Sequence, residues 1–201
     1  MTAPSTIAYF GYGSLVNLDT LRTPYISAHR ARLKGWRRAW LSYPSTANNF
    51  VKNTDMAFLS VEQAPTTAIE GLVVIDHSSS LASLDKREDA YDRVEISHDS
   101  LEFLDENPLQ GNTKAYLYVA QQPAANQKTN ILRSYLDAVM QGYQTNFGEI
   151  GIERFMATTT NFNCCILEDR DAPYYPRSVA LNDAERELFS KFALPKTPVS
   201  F

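Results

Sequence analysis

The sequence predicts an α+β chain in which a β-rich core carries helices packed against it. Three observations point there. Runs of β-branched and aromatic residues recur at 6–10, 28–43, 56–61, 69–75, 93–97 and 114–120. Helical periodicity is strongest at 81–91, 129–141 and 183–192. A glycine pair, Gly11 and Gly13, punctuates the end of the first strand.

In residues 6–21 (TIAYFGYGSLVNLDTL), Thr6, Ile7, Tyr9 and Phe10 suit a short buried strand, and Val16, Leu18 and Leu21 fit a helix beginning near Ser14. Gly11 and Gly13 are free to take positive φ, so the N–H groups between them can converge on one point, with the positive end of the helix aimed the same way. That is a seat for a carboxylate or an oxyanion, and an ordinary strand-to-helix turn is the plainer alternative. A dinucleotide fingerprint fails because Val16 stands where glycine or alanine is required. A nucleophile elbow fails because Tyr12 and Val16, not glycines, flank Ser14 two positions away.

Residues 28–43 (AHRARLKGWRRAWLSY) are basic, but Arg30, Arg32 and Lys34 alternate with Ala31 and Leu33, the pattern of a strand with one wet face. Residues 48–55 read as a loop, and 56–61 and 69–75 as strands, the latter (IEGLVVI) apolar enough to be central. Serines 78–80 are placed to cap a helix over 81–91, LASLDKREDAY. At 100° per residue, Leu81, Leu84, Glu88 and Tyr91 share a stripe roughly 80° wide, with Lys86, Arg87 and Ala90 away from it. A carboxylate on an apolar stripe has its pKa raised by burial above the reference of about 4.3, which suits a proton carrier. A structural ion pair, with Arg93 as partner, is the alternative.

Strands at 93–97 and 114–120 come next, with a turn-rich stretch at 105–111. Thr129 opens a helix through Gln141 that stops at Gly142, and Ile131, Tyr135, Ala138 and Val139 share its inner stripe. Beyond it lie a short helix (148–158), a strand (164–167), a proline-bracketed loop (171–177) and a helix at 183–192 capped by Asn182. Arg170 and Arg177 are candidates to recognise an acidic ligand.

A chain of 201 residues is long enough for one buried core, so one domain is expected. A net charge of −4 argues against nucleic acid as a partner. No basic and apolar leader opens the sequence and no window approaches a membrane span, so a cytoplasmic location with no membrane partner is expected. The two cysteines, Cys164 and Cys165, are adjacent and read as reduced thiols. His29, His77 and His98 are isolated, and no metal is expected.

With an FGYGSL corner, Glu88 within LDKREDAY and Tyr135 within SYLDAVMQG, the chain resembles the gamma-glutamylcyclotransferase-like family, which includes the ChaC and BtrG branches. The resemblance spans roughly residues 7–143. It implies a small mixed β-barrel with packed helices, and a C-terminal extension from about residue 144. It also implies cleavage of a γ-glutamyl amide to 5-oxoproline and a free amine or amino acid, without cofactor. Tyr9, Phe10, Gly11, Tyr12, Gly13, Ser14 and Leu15 correspond to the family's substrate-binding loop, Glu88 to its general acid/base, and Tyr135 to a pocket tyrosine. Leu15 stands where many members have Asn, a departure shared with the ChaC-like branch. The implied partner is a small γ-glutamyl substrate, bound by a monomer or a homodimer. A non-catalytic carboxylate-binding protein with the same corner is the rival reading, and an amidase using Cys164 or Cys165 a third.

Overall fold

The computed structural model describes residues 6–43, 56–120, 129–162 and 165–192. The predicted loop at 48–55 and Cys164 lie outside the described residues. Strands β1 (Thr6–Gly11), β2 (Ser27–Tyr43), β3 (Met56–His77), β4 (Tyr91–Ile96), β5 (Leu101–Phe103) and β6 (Lys114–Ala120) run in the order β4-β6-β1-β3-β2-β5. The β1–β6 pair is parallel and the other pairs along this path are antiparallel. The short strands β7 (Asn130–Leu132), β8 (Thr159–Thr160) and β9 (Cys165–Leu167) extend the sheet, β7 pairing β3 and β8 pairing β2. The α+β class stands, but among the described residues the strand path is open at β4 and β5, so the expected barrel is a curved sheet rather than a closed ring.

The ladder between β2 and β3 carries a structural break with a functional consequence. Trp36 pairs with Gln63 and Lys34 with Ala68, so residues 64–67, Pro65 among them, face Gly35 alone. Gly35 takes φ +83°, the left-handed conformation that only glycine adopts freely. The two strands expected at 56–61 and 69–75 are therefore one continuous element, interrupted in pairing where the proline stands. The extra residue also flips the alternation: Arg30 and Lys34 point to solvent before the break, and Arg37 does after it, while Arg38 and Trp40 turn inward.

Four helices pack on this frame among the described residues: α1 (Leu81–Arg87), α2 (Arg133–Phe147), α3 (Glu149–Ala157) and α4 (Asp183–Lys191). Helix α1 is shorter than its periodicity suggests, because Glu88 leaves the helical conformation at φ −104°, ψ 36° and the chain turns into β4. Helix α2 begins at Arg133 rather than Thr129, because Asp169, distant in sequence, receives the first-turn N–H of Ser134 at 2.7 Å and its hydroxyl at 2.5 Å. It runs past Gly142 and stops at Gly148, which takes φ +71°. Helix α4 opens as expected at Asn182, in a reciprocal capping arrangement with Glu185.

The core lies between sheet and helices. Phe10, Leu33, Ile69, Leu72, Val74 and Leu117 from the strands meet Leu136, Val139, Met140 and Tyr143 from α2. Each such side chain contributes about 1.5–3 kcal/mol of hydrophobic stabilisation as an upper bound. No helix among the described residues is long and apolar enough to cross a membrane.

Candidate active site

The corner after β1 differs from expectation in its backbone and agrees in its position. Neither Gly11 nor Gly13 takes a positive φ, and the chain continues as a three-residue 3-10 turn, Ser14–Val16, then a second at Leu18–Thr20, not as a helix. The glycines are required for room. A Cβ on Gly11 would meet that of Leu15 at 2.7 Å, and one on Gly13 would meet the Tyr135 hydroxyl at 2.7 Å. The corner is locked onto α2: Asn17 donates to the Ala138 carbonyl at 3.0 Å, Asn146 donates to the Val16 carbonyl at 3.0 Å, and Gly142 lies against the backbone of Asn17. A hydrogen bond joins the backbone at Ser14 to the Tyr135 hydroxyl.

Arg38, which the bulge at Gly35 turns inward, holds the corner from behind. Its Nε donates to the Tyr12 carbonyl at 3.0 Å and an Nη to the Thr158 hydroxyl at 2.7 Å, while the other Nη bonds the Glu70 carbonyl and the Tyr143 hydroxyl. Burial lowers its pKa from the ordinary arginine value. Strict alternation hides this residue among the basic positions of the wet face; the glycine inside the strand is the signal that reveals it.

Glu88 is the residue immediately after α1, and its side chain is 16% exposed. The ion-pair partner is Arg87, not Arg93: Arg87 Nε donates to Glu88 Oε1 at 2.8 Å, whereas Arg93 pairs with Asp85. Arg87, expected to point away, is drawn inward by the Thr20 carbonyl at 2.8 Å and the Thr20 hydroxyl at 3.3 Å. Thr20 in turn donates to the Ser14 carbonyl at 2.8 Å. A chain of polar contacts therefore runs from the Glu88 carboxylate through Arg87 and Thr20 to Ser14.

Glu88, Ser14 and Tyr135 line one cavity of about 180 Å³, walled by Met56–Leu59 of β3, by Tyr91, and by Tyr175, Pro176 and Arg177. A smaller recess of about 30 Å³ continues from Glu88 and Ser14 to Phe10, Tyr12, Gly13 and Leu15. That recess has room for a water-sized polar group. Burial pushes the phenols of Tyr12 and Tyr135 up from their ordinary value, with the Glu88 carboxylate adding to both shifts, so both hydroxyls stay protonated. The corner and the carboxylate read from the sequence thus meet in space. Tyr9 and Gly11 are the exceptions: Gly11 lines neither space, and Tyr9, on the opposite face of its strand, lines a neighbouring cleft with Asp76 and Arg87.

The loop at 171–177 supplies a wall whose direction the sequence does not disclose. Asp169 Oδ2 accepts from the Tyr174 N–H at 2.9 Å, and Ser134 Oγ from that of Tyr175 at 3.3 Å. The Tyr175 ring packs edge-on against Tyr135 with centroids 5.0 Å apart. Its hydroxyl is buried with no hydrogen-bond partner among the described residues, a condition that costs about 1–3 kcal/mol. The two arginines singled out in this region part company: Arg170 grips Asp137 through Nε and Nη2 at 2.7 and 2.8 Å, while Arg177 lines the cavity. Cys165 is exposed on β9 and does not line the cavity. Among the described residues no group of three or more His, Cys, Asp or Glu is arranged to hold a metal ion.

No family model and no curated protein sequence matches the chain. Solved structures do. One described as a gamma-glutamyl cyclotransferase matches with a TM-score of 0.50 at 16% identity, over 93% of this chain and 99% of that one. YkqA from Bacillus subtilis matches with a TM-score of 0.54 at 17% identity, over 78% of this chain and 56% of that one. At such identities the likeness is one of fold, and it extends over nearly the whole of both chains in the first case. The chain has the gamma-glutamylcyclotransferase-like fold.

Proposed function

We propose that the protein is a γ-glutamyl cyclotransferase that releases 5-oxoproline from a small γ-glutamyl compound. The observation that carries the proposal is the shared cavity of Glu88 and the Ser14 corner, with the two joined through Arg87 and Thr20. A γ-glutamyl group brings its own nucleophile. Its α-amine, once neutral, attacks the γ-carbonyl carbon to form a five-membered lactam, and the C–N bond to the leaving amine breaks. Glu88 takes the proton from the α-ammonium and returns it to the departing nitrogen. The recess at Gly13 and Ser14 receives the substrate carboxylate or the oxyanion on backbone N–H groups between Tyr12 and Leu15, and Tyr135 shapes its wall. Holding a folded substrate is worth on the order of 7–11 kcal/mol, and a positioned base a further factor of about 100–10,000.

The test is 5-oxoproline release across a panel of γ-glutamyl amines, dipeptides and tripeptides, with Glu88→Gln as control. The amide oxygen of glutamine still accepts from Arg87 Nε, so the variant is expected to fold and to lose at least about 100-fold in kcat/KM. A folded Glu88→Gln protein of undiminished rate would sink the mechanism. The Arg87–Glu88 contact favours one rival, a carboxylate-binding protein in which Glu88 is a structural ion-pair member. Stabilisation by γ-glutamyl ligands with no turnover is the outcome that rival requires.

A further inference from the structure

The cleft lined by Tyr9 adjoins the active-site cavity across Arg87 and Arg177, which belong to both. Its volume is about 380 Å³, larger than the cavity that holds Glu88 and ample for an amino-acid-sized group. Arg22, Lys86, Arg87 and Arg177 face it, against the single carboxylate of Asp76. Arg87 is committed to Glu88 and Thr20, and Asp76 to Ser80 and the His77 N–H. No carboxylate among the described residues pairs with Arg22, Lys86 or Arg177. With Arg87 paired to Glu88, three cations face one carboxylate, so the cleft carries a net positive charge on one side of the site, while Asp89, the other carboxylate lining the cavity, is exposed to solvent.

The spaces run in sequence: the recess at Gly13, the cavity at Glu88, then the cationic cleft beyond Arg177. A substrate whose glutamyl end occupies the recess and whose scissile bond lies at Glu88 extends its leaving half toward that cleft. We infer that the cleft is a subsite for a leaving half bearing two negative charges, with Arg177 and Lys86 as its readers. The favoured substrate is then a γ-glutamyl peptide of an acidic amino acid rather than a γ-glutamyl amine. This rests on the cyclotransferase reading above. Arg177 is suited to the task because Asp169 and Ser134 fix the loop that carries it.

The experiment compares γ-glutamyl-glutamate with γ-glutamyl-glutamine, which has the same shape and one charge fewer. Wild type is expected to prefer the former by about fivefold or more in kcat/KM, with the preference shrinking as salt is raised. In Arg177→Gln/Lys86→Gln the ratio is expected to fall toward one. Equal rates for the two peptides in wild type, or a ratio unchanged in the double variant, overturns the subsite. Titration calorimetry of both peptides against Glu88→Gln separates this inference from the reading it rests on. A preserved binding preference with no 5-oxoproline from wild type supports the cleft and sinks the cyclotransferase, whereas turnover without any preference does the reverse.

Discussion

Arg38 donates from Nε to the carbonyl oxygen of Tyr12 at 3.0 Å, from a side chain with no exposure to solvent. A guanidinium is thereby spent on holding the backbone of the Gly11–Ser14 corner instead of on a carboxylate. Removing it leaves the Tyr12 and Glu70 carbonyls buried with fewer donors. Arg38→Met is expected to destabilise the protein by about 2–5 kcal/mol in urea unfolding, and Arg38→Lys to recover little, because one ammonium cannot reproduce the fork. A loss below about 1 kcal/mol for Arg38→Met would show that the corner stands without it.

Gly13 and Tyr135 are expected to be coupled. A Cβ at position 13 falls 2.7 Å from the Tyr135 hydroxyl but 3.3 Å from Leu59 Cδ2, so the hydroxyl is the obstacle. Gly13→Ala alone should cost about 1–3 kcal/mol, and less in the Tyr135→Phe background, with a coupling energy of about 1 kcal/mol or more. Additive losses across the four proteins would place the clash elsewhere.

Gly142 offers a reversal of sign. Helix propensity alone favours alanine over glycine in a helix interior by about 1 kcal/mol. Here a Cβ would meet the backbone of Val16 and Asn17 at 2.6–2.9 Å, and backbone cannot step aside. Gly142→Ala is therefore expected to lower the melting temperature and to displace the corner that Asn17 anchors. A stabilised variant contradicts this packing.

High pH should unfold the protein through its buried phenols. Burial raises Tyr143 to about 12, and it raises Tyr9, Tyr12, Tyr118 and Tyr135 as well. In the unfolded chain these groups ionise near 10, so the stability they contribute is fully present below pH 10 and is lost as pH rises toward and through the folded values. The urea midpoint should fall steeply above pH 10, and tyrosinate absorbance should rise in a cooperative step with unfolding. A gradual titration of all tyrosines near pH 10 in the folded protein would contradict their burial.

What the sequence discloses is what short-range pattern controls. The β1 strand, the wet face of β2, the pair β4 and β6, and the Asn182 cap are set by residues within a few positions of one another. Glu88 is found by a helical stripe that in fact ends one residue earlier; its inward direction survives because Leu84 and Tyr91 on either side are both anchored in the core, Tyr91 lining the same cavity as Glu88. Arg38 is hidden by a bulge that reverses which side chains face the core, and the start of α2 by a cap that comes from Asp169. Tyr175 and Arg177 sit in a loop whose path is set by tertiary anchors, so no periodicity carries the information.

The tie between Ser134, Asp169 and Tyr174 also imposes an order on assembly. On the ribosome, the strands, the glycine corner and Glu88 all emerge before the segment that closes over them. Until residues 174–177 have left the exit tunnel and found the first turn of α2, the nascent chain displays an open half-site, and the cavity gains its last wall only once that loop has docked.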